Sequence, residues 1–230
     1  MVDARATSLV SRRFFSPAVL AGSALLALAL RSFVIAPFSI PSRSMQPLLL
    51  PGDQLFAARW GRPDRGDVVI FRAGATKYIK RLIGLPGDRV QMIHGRLVLN
   101  GVPMQRRRLT DGRAPCRDQA RALCRLPRYR EWLPNGRSYE ILQPGGMSAA
   151  DDTIDFHVPP AHYFVLGDNR DDSADSRFAP GEAGGVGYVA RGDLTGRALA
   201  IWFSSDGTAS WWRPWRWVTA TRWSRIGSIA

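Results

Sequence analysis

The chain has 230 residues, 45% hydrophobic and 22% charged. That is the balance of a folded body rather than a disordered one, and the length suits one compact domain with an elaboration. Its net charge of +13 and isoelectric point near 11.1 would ordinarily point to nucleic acid or an anionic membrane surface. Nucleic acid is set aside. Of the 32 basic residues only Lys77 and Lys80 are lysines, and the 30 arginines are scattered, with one run at Arg106-Arg107-Arg108. That bias fits a GC-rich coding sequence as well as a binding role, and no zinc-finger, basic-zipper or RNA-recognition fingerprint is present.

In chain order, the first element is apolar. Phe14 to Leu30 carries no charge, Arg12 and Arg13 precede it, and after Arg31 the stretch "SFVIAPF" resumes the apolar character to Pro37. About 20 apolar residues cross a bilayer core of ~30 Å, so a short N-terminus, 1–13, and a transmembrane helix over 14–36 are expected, with Arg31 reaching the far interface. A cleavable signal peptide is the rival, with "ALA" at Ala27 to Ala29 as its cleavage pattern. The flanking arginines do not decide orientation: Arg5, Arg12 and Arg13 stand against Arg31 and Arg43.

Beyond Pro37 strand patterns dominate. Gln54 to Trp60, Asp67 to Phe71, Lys77 to Leu85, Arg89 to Ile93, Arg96 to Asn100, His162 to Leu166 and Arg197 to Phe203 have β composition, with Gly and Pro at the junctions. A tight turn at His94-Gly95 joins two of them. The fold class is mainly β, with a core from 37–102 and 158–205. Residues 103–157 are rich in Arg, Gly and Pro and show few clean strands, so they form a smaller inserted region. Cys116 and Cys124 bracket a short loop there; a local disulfide fits an extracytoplasmic setting, and two free thiols are the alternative. In the tail, 206–230, "WWRPWRWVTATRWSR" alternates indoles with guanidinium groups. It suits a membrane interface; the alternative is a tail laid over the body.

"PSRSMQP", Pro41 to Pro47, poses the chemical question. A serine nucleophile needs a proton acceptor within hydrogen-bond reach. The three histidines, His94, His157 and His162, stand at turns and strand flanks and read as structural. Arginine does not deprotonate in proteins, but serine–lysine pairs occur in acyl transfer. Strand alternation points Lys77 and Lys80 to opposite faces, and Lys80, between Ile79 and Leu82-Ile83, has the more apolar surroundings. Burial there would favour the neutral amine; without it only roughly one lysine in a thousand is neutral at pH 7.

Four boxes, "FSIPSRSMQP", "RGDVVIF", "YIKRLIGLPGD" and "GDNRDDSADSR", occur in that order after the apolar segment. Together they resemble the bacterial type I signal peptidases, membrane-bound serine proteases of the Ser/Lys-dyad type, over about Arg31 to Ser204. The resemblance implies a coiled antiparallel β-sheet catalytic core outside the cytoplasm, on the periplasmic side of the inner membrane, held by an uncleaved single span. It implies Ser44 as nucleophile, Lys80 as general base, and an oxyanion hole from the Ser44 backbone N–H and the Ser42 hydroxyl. Ser173 would orient the lysine, Asp175 and Arg177 would form a supporting ion pair, and Asp168 and Arg170 would brace the same loop. Phe38, Ile40 and Ile79 would line apolar pockets for an Ala-x-Ala substrate. The partners implied are exported preproteins and the phospholipid bilayer, with no nucleic acid, cofactor or metal.

Three positions depart from the family's habit. Arg43 replaces a small residue between the serines, Leu48 stands where Thr is common, and Asp172 stands where Asn is common. An Asp172 facing Lys80 would favour the ammonium form, so it is expected to point away. Two other functions fit the same residues: a dedicated maturation peptidase of a conjugation or pilus system, and an inactive anchored binding protein marked by Arg43 and Asp172.

Overall fold

The computed structural model describes residues 16–33, 35–59, 61–115, 123–143, 150–208, 212 and 215–229. Helix α1, Pro17–Phe33, has 17 residues. Pro17 opens it, where a missing N–H costs nothing, and the Ser16 hydroxyl accepts the Val19 N–H at 3.3 Å. At 1.5 Å per residue it is roughly 25 Å long. Among the described residues no helix is long and apolar enough to cross a membrane; Phe14, Phe15 and the 1–13 segment lie outside the described residues.

The chain passes directly from α1 into β1, Ile35–Ser39, and then β2, Asp53–Ala58. Two hairpin strands follow, β3, Val68–Ala73, and β4, Thr76–Gly84. Next come β5, Arg89–Ile93, β6, Arg96–Leu99, and β7, Val102–Pro103. The inserted region supplies β8, Arg106–Arg108, β9, Gly112–Pro115, β10, Leu123–Leu126, β11, Arg128–Trp132, and β12, Ser138–Leu142. The core resumes with β13, Phe156–His157, β14, His162–Leu166, β15, Val189–Ala190, and the long β16, Leu194–Ser204. After a short helix α2, Arg216–Ala220, the strand β17, Gly227–Ser228, pairs back onto β16.

The main sheet has eight strands, in the order β1-β2-β16-β3-β4-β14-β15 with β17 on β16. Its pairings are antiparallel. Separate sheets hold β13-β5-β6-β7 and β12-β11-β8, and β9 pairs with β10. The expected mainly β, antiparallel architecture is what the chain adopts.

The differences have physical reasons. Ile35 and Ala36 were expected as the end of the span, yet they open β1, which pairs Pro37 with Phe56. Proline lacks a ladder donor and is tolerated on an edge strand, which β1 is. The inserted region has more strands than its composition suggested. Its apolar alternation is replaced by arginines lying on aromatic rings: Arg106 and Arg108 over Tyr129 at 4.5 and 5.2 Å, and Arg107 over Trp132 at 5.8 Å. Such cation–π contacts hold strands together as aliphatic pairs do. The His94-Gly95 turn has φ of 48° and 68°, the geometry of a type I′ hairpin. Cys124 is disulfide-bonded; Cys116 lies outside the described residues.

Candidate active site

Ser44 lies in a compact turn between β1 and β2. Met45 and Leu49, four positions apart and on one side of that turn, are buried at 1% and 0% exposure. They sink into a cluster with Ile40, Leu55, Ile70 and Ile79, while the Leu49 N–H donates to the Met45 carbonyl at 2.8 Å. The apolar anchors fix the turn and leave Ser44 facing β4. There Lys80 lies in the buried run Ile79 to Gly84, while Lys77, three positions earlier, is exposed.

The Lys80 Nζ donates to the Ser44 Oγ at 2.7 Å, with both residues buried. Burial pushes the Lys80 pKa down to about 8, and Arg177 assists, while Asp175, Asp168 and Asp172 pull the other way. At pH 7 roughly one such amine in ten is then neutral, on the order of 300-fold more than for a lysine at its ordinary value. Asp172 is exposed, in keeping with its expected outward orientation, and its pull on Lys80 stands last in that series.

The wall behind the amine is a buried ionic lattice. Arg177 forks onto Asp175, Nε to Oδ1 and Nη2 to Oδ2, both at 2.9 Å, with no exposure on either side chain. Burial alone would raise the Asp175 pKa; Arg177 and the Gly167 N–H hold it below its ordinary value. Arg81, next to Lys80, makes a second fork on Asp168 at 2.7 Å per bond and lies 4.3 Å over the Tyr139 ring. Arg170 reaches Glu131 at 2.5 Å. Tyr139 donates its hydroxyl to the same carboxylate at 2.7 Å. Ion pairs at this depth need such extra hydrogen bonds to offset desolvation.

Asp168 and Arg170 thus brace different partners, Arg81 and Glu131. Sequence reasoning left out Arg81, Glu131, Tyr139, Asn169 and Gly167. Arg81, Asn169 and Gly167 stand inside or beside recognised boxes, where adjacency was the available signal. Glu131 and Tyr139 belong to β11 and β12, in the region read as a separate elaboration. That region in fact props the site: the Leu142 N–H donates to the Asp168 carbonyl and the Arg170 N–H to the Leu142 carbonyl, both at 2.9 Å.

Two expectations are corrected in detail. The Ser173 Oγ is buried and has no hydrogen-bond partner among the described residues, so the expected bond to Lys80 is not made in this structure; the amine donates to Ser44 instead. The Ser44 N–H donates to the Ser42 Oγ at 3.2 Å, so one expected oxyanion donor is occupied by the other's oxygen. Ile40 and Ile79 are core residues at 1% and 5% exposure and can offer a substrate only an edge. Phe38 is half-buried and lines an open hollow of about 340 Å³ with Pro37, Ala57, Ile70 and Leu194. The histidines have other partners: His94 faces Asp152, His157 faces Asp155, and His162 Nδ1 meets the Pro160 carbonyl.

Gly167 is the tightest point. A Cβ there would lie 2.2 Å from the Ser173 Oγ and 2.6 Å from the Ser44 carbonyl oxygen, while the neighbouring Asn169 N–H donates to that same carbonyl at 3.0 Å. Gly167→Ala must push the Ser44 turn away from the 168–170 loop. A misplacement near 1 Å costs catalysis on the order of 100-fold. Steady-state cleavage should therefore fall by about that factor in kcat, and an unchanged kcat would contradict this role.

The tail is tied to the same turn. Asp53 is fully buried and receives Arg225 Nε at 3.1 Å; Arg225 Nη2 also reaches the Leu48 carbonyl at 2.6 Å. Arg222 donates to the Pro51 and Ser205 carbonyls at 2.7 Å. Burial would raise the Asp53 pKa, but Arg225, the Leu50 N–H and Ser204 hold it low. These two arginines, expected at a membrane interface, face inward because a buried carboxylate needs a cation. Trp212, Trp215 and Trp223 stay 63–90% exposed.

A serine hydroxyl and a partly neutral amine, buried together at hydrogen-bond distance, are what serine acyl-transfer chemistry requires. A family profile described as signal peptidase, peptidase S26, matches residues 12–203. Signal peptidase I of Rickettsia typhi (strain ATCC VR-144 / Wilmington) is 34% identical, covering 81% of this chain and 78% of its own. Signal peptidase I of Rickettsia prowazekii (strain Madrid E) matches at the same identity and coverage. A solved signal peptidase I of Enterococcus faecalis V583 is 25% identical and covers 60% of this chain and 97% of its own, with a TM-score of 0.33. The chain belongs to the signal peptidase family, peptidase S26. It is a peptide-bond hydrolase of the signal peptidase I type, acting on preproteins that carry signal peptides.

Proposed function

We propose that this chain removes signal peptides by a Ser44–Lys80 dyad, cutting after Ala-x-Ala. The observation that carries the reading is the 2.7 Å contact between the two buried side chains. Lys80 takes the Ser44 proton as Oγ attacks the peptide carbonyl. The tetrahedral oxyanion draws on the Ser44 N–H and the Ser42 hydroxyl once their mutual hydrogen bond gives way. Lys80 then returns the proton to the leaving amine, and water releases the acyl-enzyme. Ser173, buried and without another partner, supplies an acceptor for a Lys80 N–H as the amine turns from Ser44.

The substrate lies extended. Thr76 to Lys80 pair with β3, while β14 meets β4 only at Arg81, Leu82 and Gly84, so the outer edge of β4 beside Lys80 is open to strand addition. Phe38 and the edges of Ile40 and Ile79 meet the small side chains. The apolar segment that ends with α1 anchors the body to the bacterial inner membrane with the site on the periplasmic side. Exposed Val19, Leu20 and Leu25 on α1 support that placement, as do the outward indoles of the tail.

A Michaelis analysis of preprotein cleavage across pH tests the mechanism. Because the neutral amine is the active form, kcat/KM should rise about tenfold per pH unit below the Lys80 pKa and level off near pH 8. Ser44→Ala should remove the activity. Cleavage that persists in Ser44→Ala, or a profile falling as pH rises from 6 to 8, would overturn the dyad. The intact dyad disfavours an inactive binding protein, and a panel of preproteins separates general from dedicated processing.

A further inference from the structure

We infer that this chain carries a phospholipid-headgroup site, an arginine-lined hollow at the junction between α1 and the sheet, selective for a phosphodiester of an anionic lipid. The inference rests on the proposed membrane anchoring. The hollow has a volume of about 190 Å³, and Arg59, Arg62, Arg191 and Arg197 line it over a floor that includes Gly61 and Gly196. Among the described residues no carboxylate lines it.

The charges are unspent. Arg197 is 3.6 Å from Asp67, but the side chains of Arg59, Arg62 and Arg191 have no hydrogen bond or ion pair among the described residues. Most other arginines in this fold answer a carboxylate, a carbonyl or an aromatic ring. Four guanidinium groups around one hollow repel unless an anion joins them, and guanidinium matches phosphate oxygens in a bidentate fork. At Gly61 the place of a Cβ is open, so an anion can approach that backbone; at Gly196 it is taken by the Ala58 carbonyl oxygen of the paired strand, 2.9 Å away.

A neighbouring pair points the same way. Arg72 and Lys77 stand directly opposite each other on β3 and β4, both exposed. Like charges in that register destabilise a sheet unless a counter-charge sits over them. They line the adjoining hollow, which shares Arg59 and Leu194 with the first.

Location selects the source of the phosphate. Helix α1 ends at Phe33, and Ile35 pairs with Ala58, the residue before Arg59. The arginine hollow therefore opens within a few residues of the point where the anchor enters the body, at headgroup depth once the helix is in the bilayer. Anionic leaflets attract basic groups placed this way.

The test uses the full chain in neutral maltoside micelles, with isothermal titration by dioctanoyl phosphatidylglycerol, dioctanoyl phosphatidylcholine or inorganic phosphate. Phosphatidylglycerol should bind at least tenfold more tightly than either of the others. The variant Arg62→Gln/Arg191→Gln should weaken that binding on the order of 30-fold, while Arg96→Gln/Arg125→Gln, equal in charge change and also exposed, should leave it within twofold. Preprotein cleavage in the same micelles should be unchanged in both variants. Equal loss in the two variants, no loss in the first, or free phosphate binding as tightly as the lipid would each overturn the site. Flotation with pure phosphatidylcholine liposomes reads anchoring separately: a chain that fails to float lacks the anchor, whatever the titration reports.

Discussion

Replacing Lys80 with methionine is expected to abolish cleavage and, at the same time, to stabilise the fold. Loss of a nucleophile's base costs on the order of 10⁴-fold or more in kcat. The stability gain follows from the depressed pKa. Lys80 falls from an ordinary 10.5 to about 8 because burial penalises the ammonium form, a penalty on the order of 3 kcal/mol. Below about pH 8 the amine is protonated whether the chain is folded or not, and the penalty is fully present. Between about 8 and 10.5 the unfolded chain keeps a proton that the folded chain has released, so wild-type stability from this group rises with pH. The methionine variant should therefore be more stable at pH 7 by about 1–3 kcal/mol, the lost Ser44 contact offsetting part of the gain. Its advantage should vanish toward pH 10.5. Urea denaturation at pH 7 and pH 10 measures both, and a variant less stable at pH 7 would show that the amine is not under strain. Lys80→Arg should be inactive too, since guanidinium does not give up its proton.

The second large effect is expected far from the dyad in sequence. Glu131→Gln removes the counter-charge of Arg170, and both side chains have no exposure. Among the described residues Arg170 already has two nitrogens, Nε and Nη1, without a hydrogen-bond partner, and its remaining side-chain contact, Nη2 to the Tyr139 hydroxyl at 3.2 Å, is to a neutral group. An uncompensated buried charge costs about 3–5 kcal/mol, or roughly 10 °C in Tm for a chain of this size. Activity should fall with it, because the Arg170 carbonyl accepts Arg177 Nη2 at 2.5 Å and Arg177 holds Asp175 beside Lys80. Removing the whole cluster is a different case. Glu131→Leu/Tyr139→Phe/Arg170→Met leaves no orphaned charge and should recover most of the stability by thermal denaturation. A Glu131→Gln variant as stable as wild type would show that the lattice is solvated.

Much of the site was legible in the residues. Two lysines in a chain of 30 arginines mark the place where a removable proton is useful, and strand alternation chooses Lys80 over Lys77. The "PSRSMQP" turn and the "GDNRDDSADSR" box carry their own chemistry. The edge strand β1 was hidden because "SFVIAPF" reads as apolar span, and composition cannot distinguish a lipid-facing run from a strand laid on β2. The tail was hidden similarly. Arg222 and Arg225 look like headgroup partners until Asp53, more than 160 positions away, is seen buried beneath them.

Side-chain chemistry and local periodicity, which act over a few positions, determined the mainly β class, the preference for Lys80 over Lys77 as a candidate base, and the hairpin at His94-Gly95; the resemblance of four boxes to a known family chose Ser44 over Ser42. Tertiary structure alone decided that Arg170 answers Glu131, that Arg81 answers Asp168, and that the inserted strands prop the catalytic loop. Those pairings depend on which charges share a dry interior, and desolvation belongs to the packed whole rather than to any short stretch of chain.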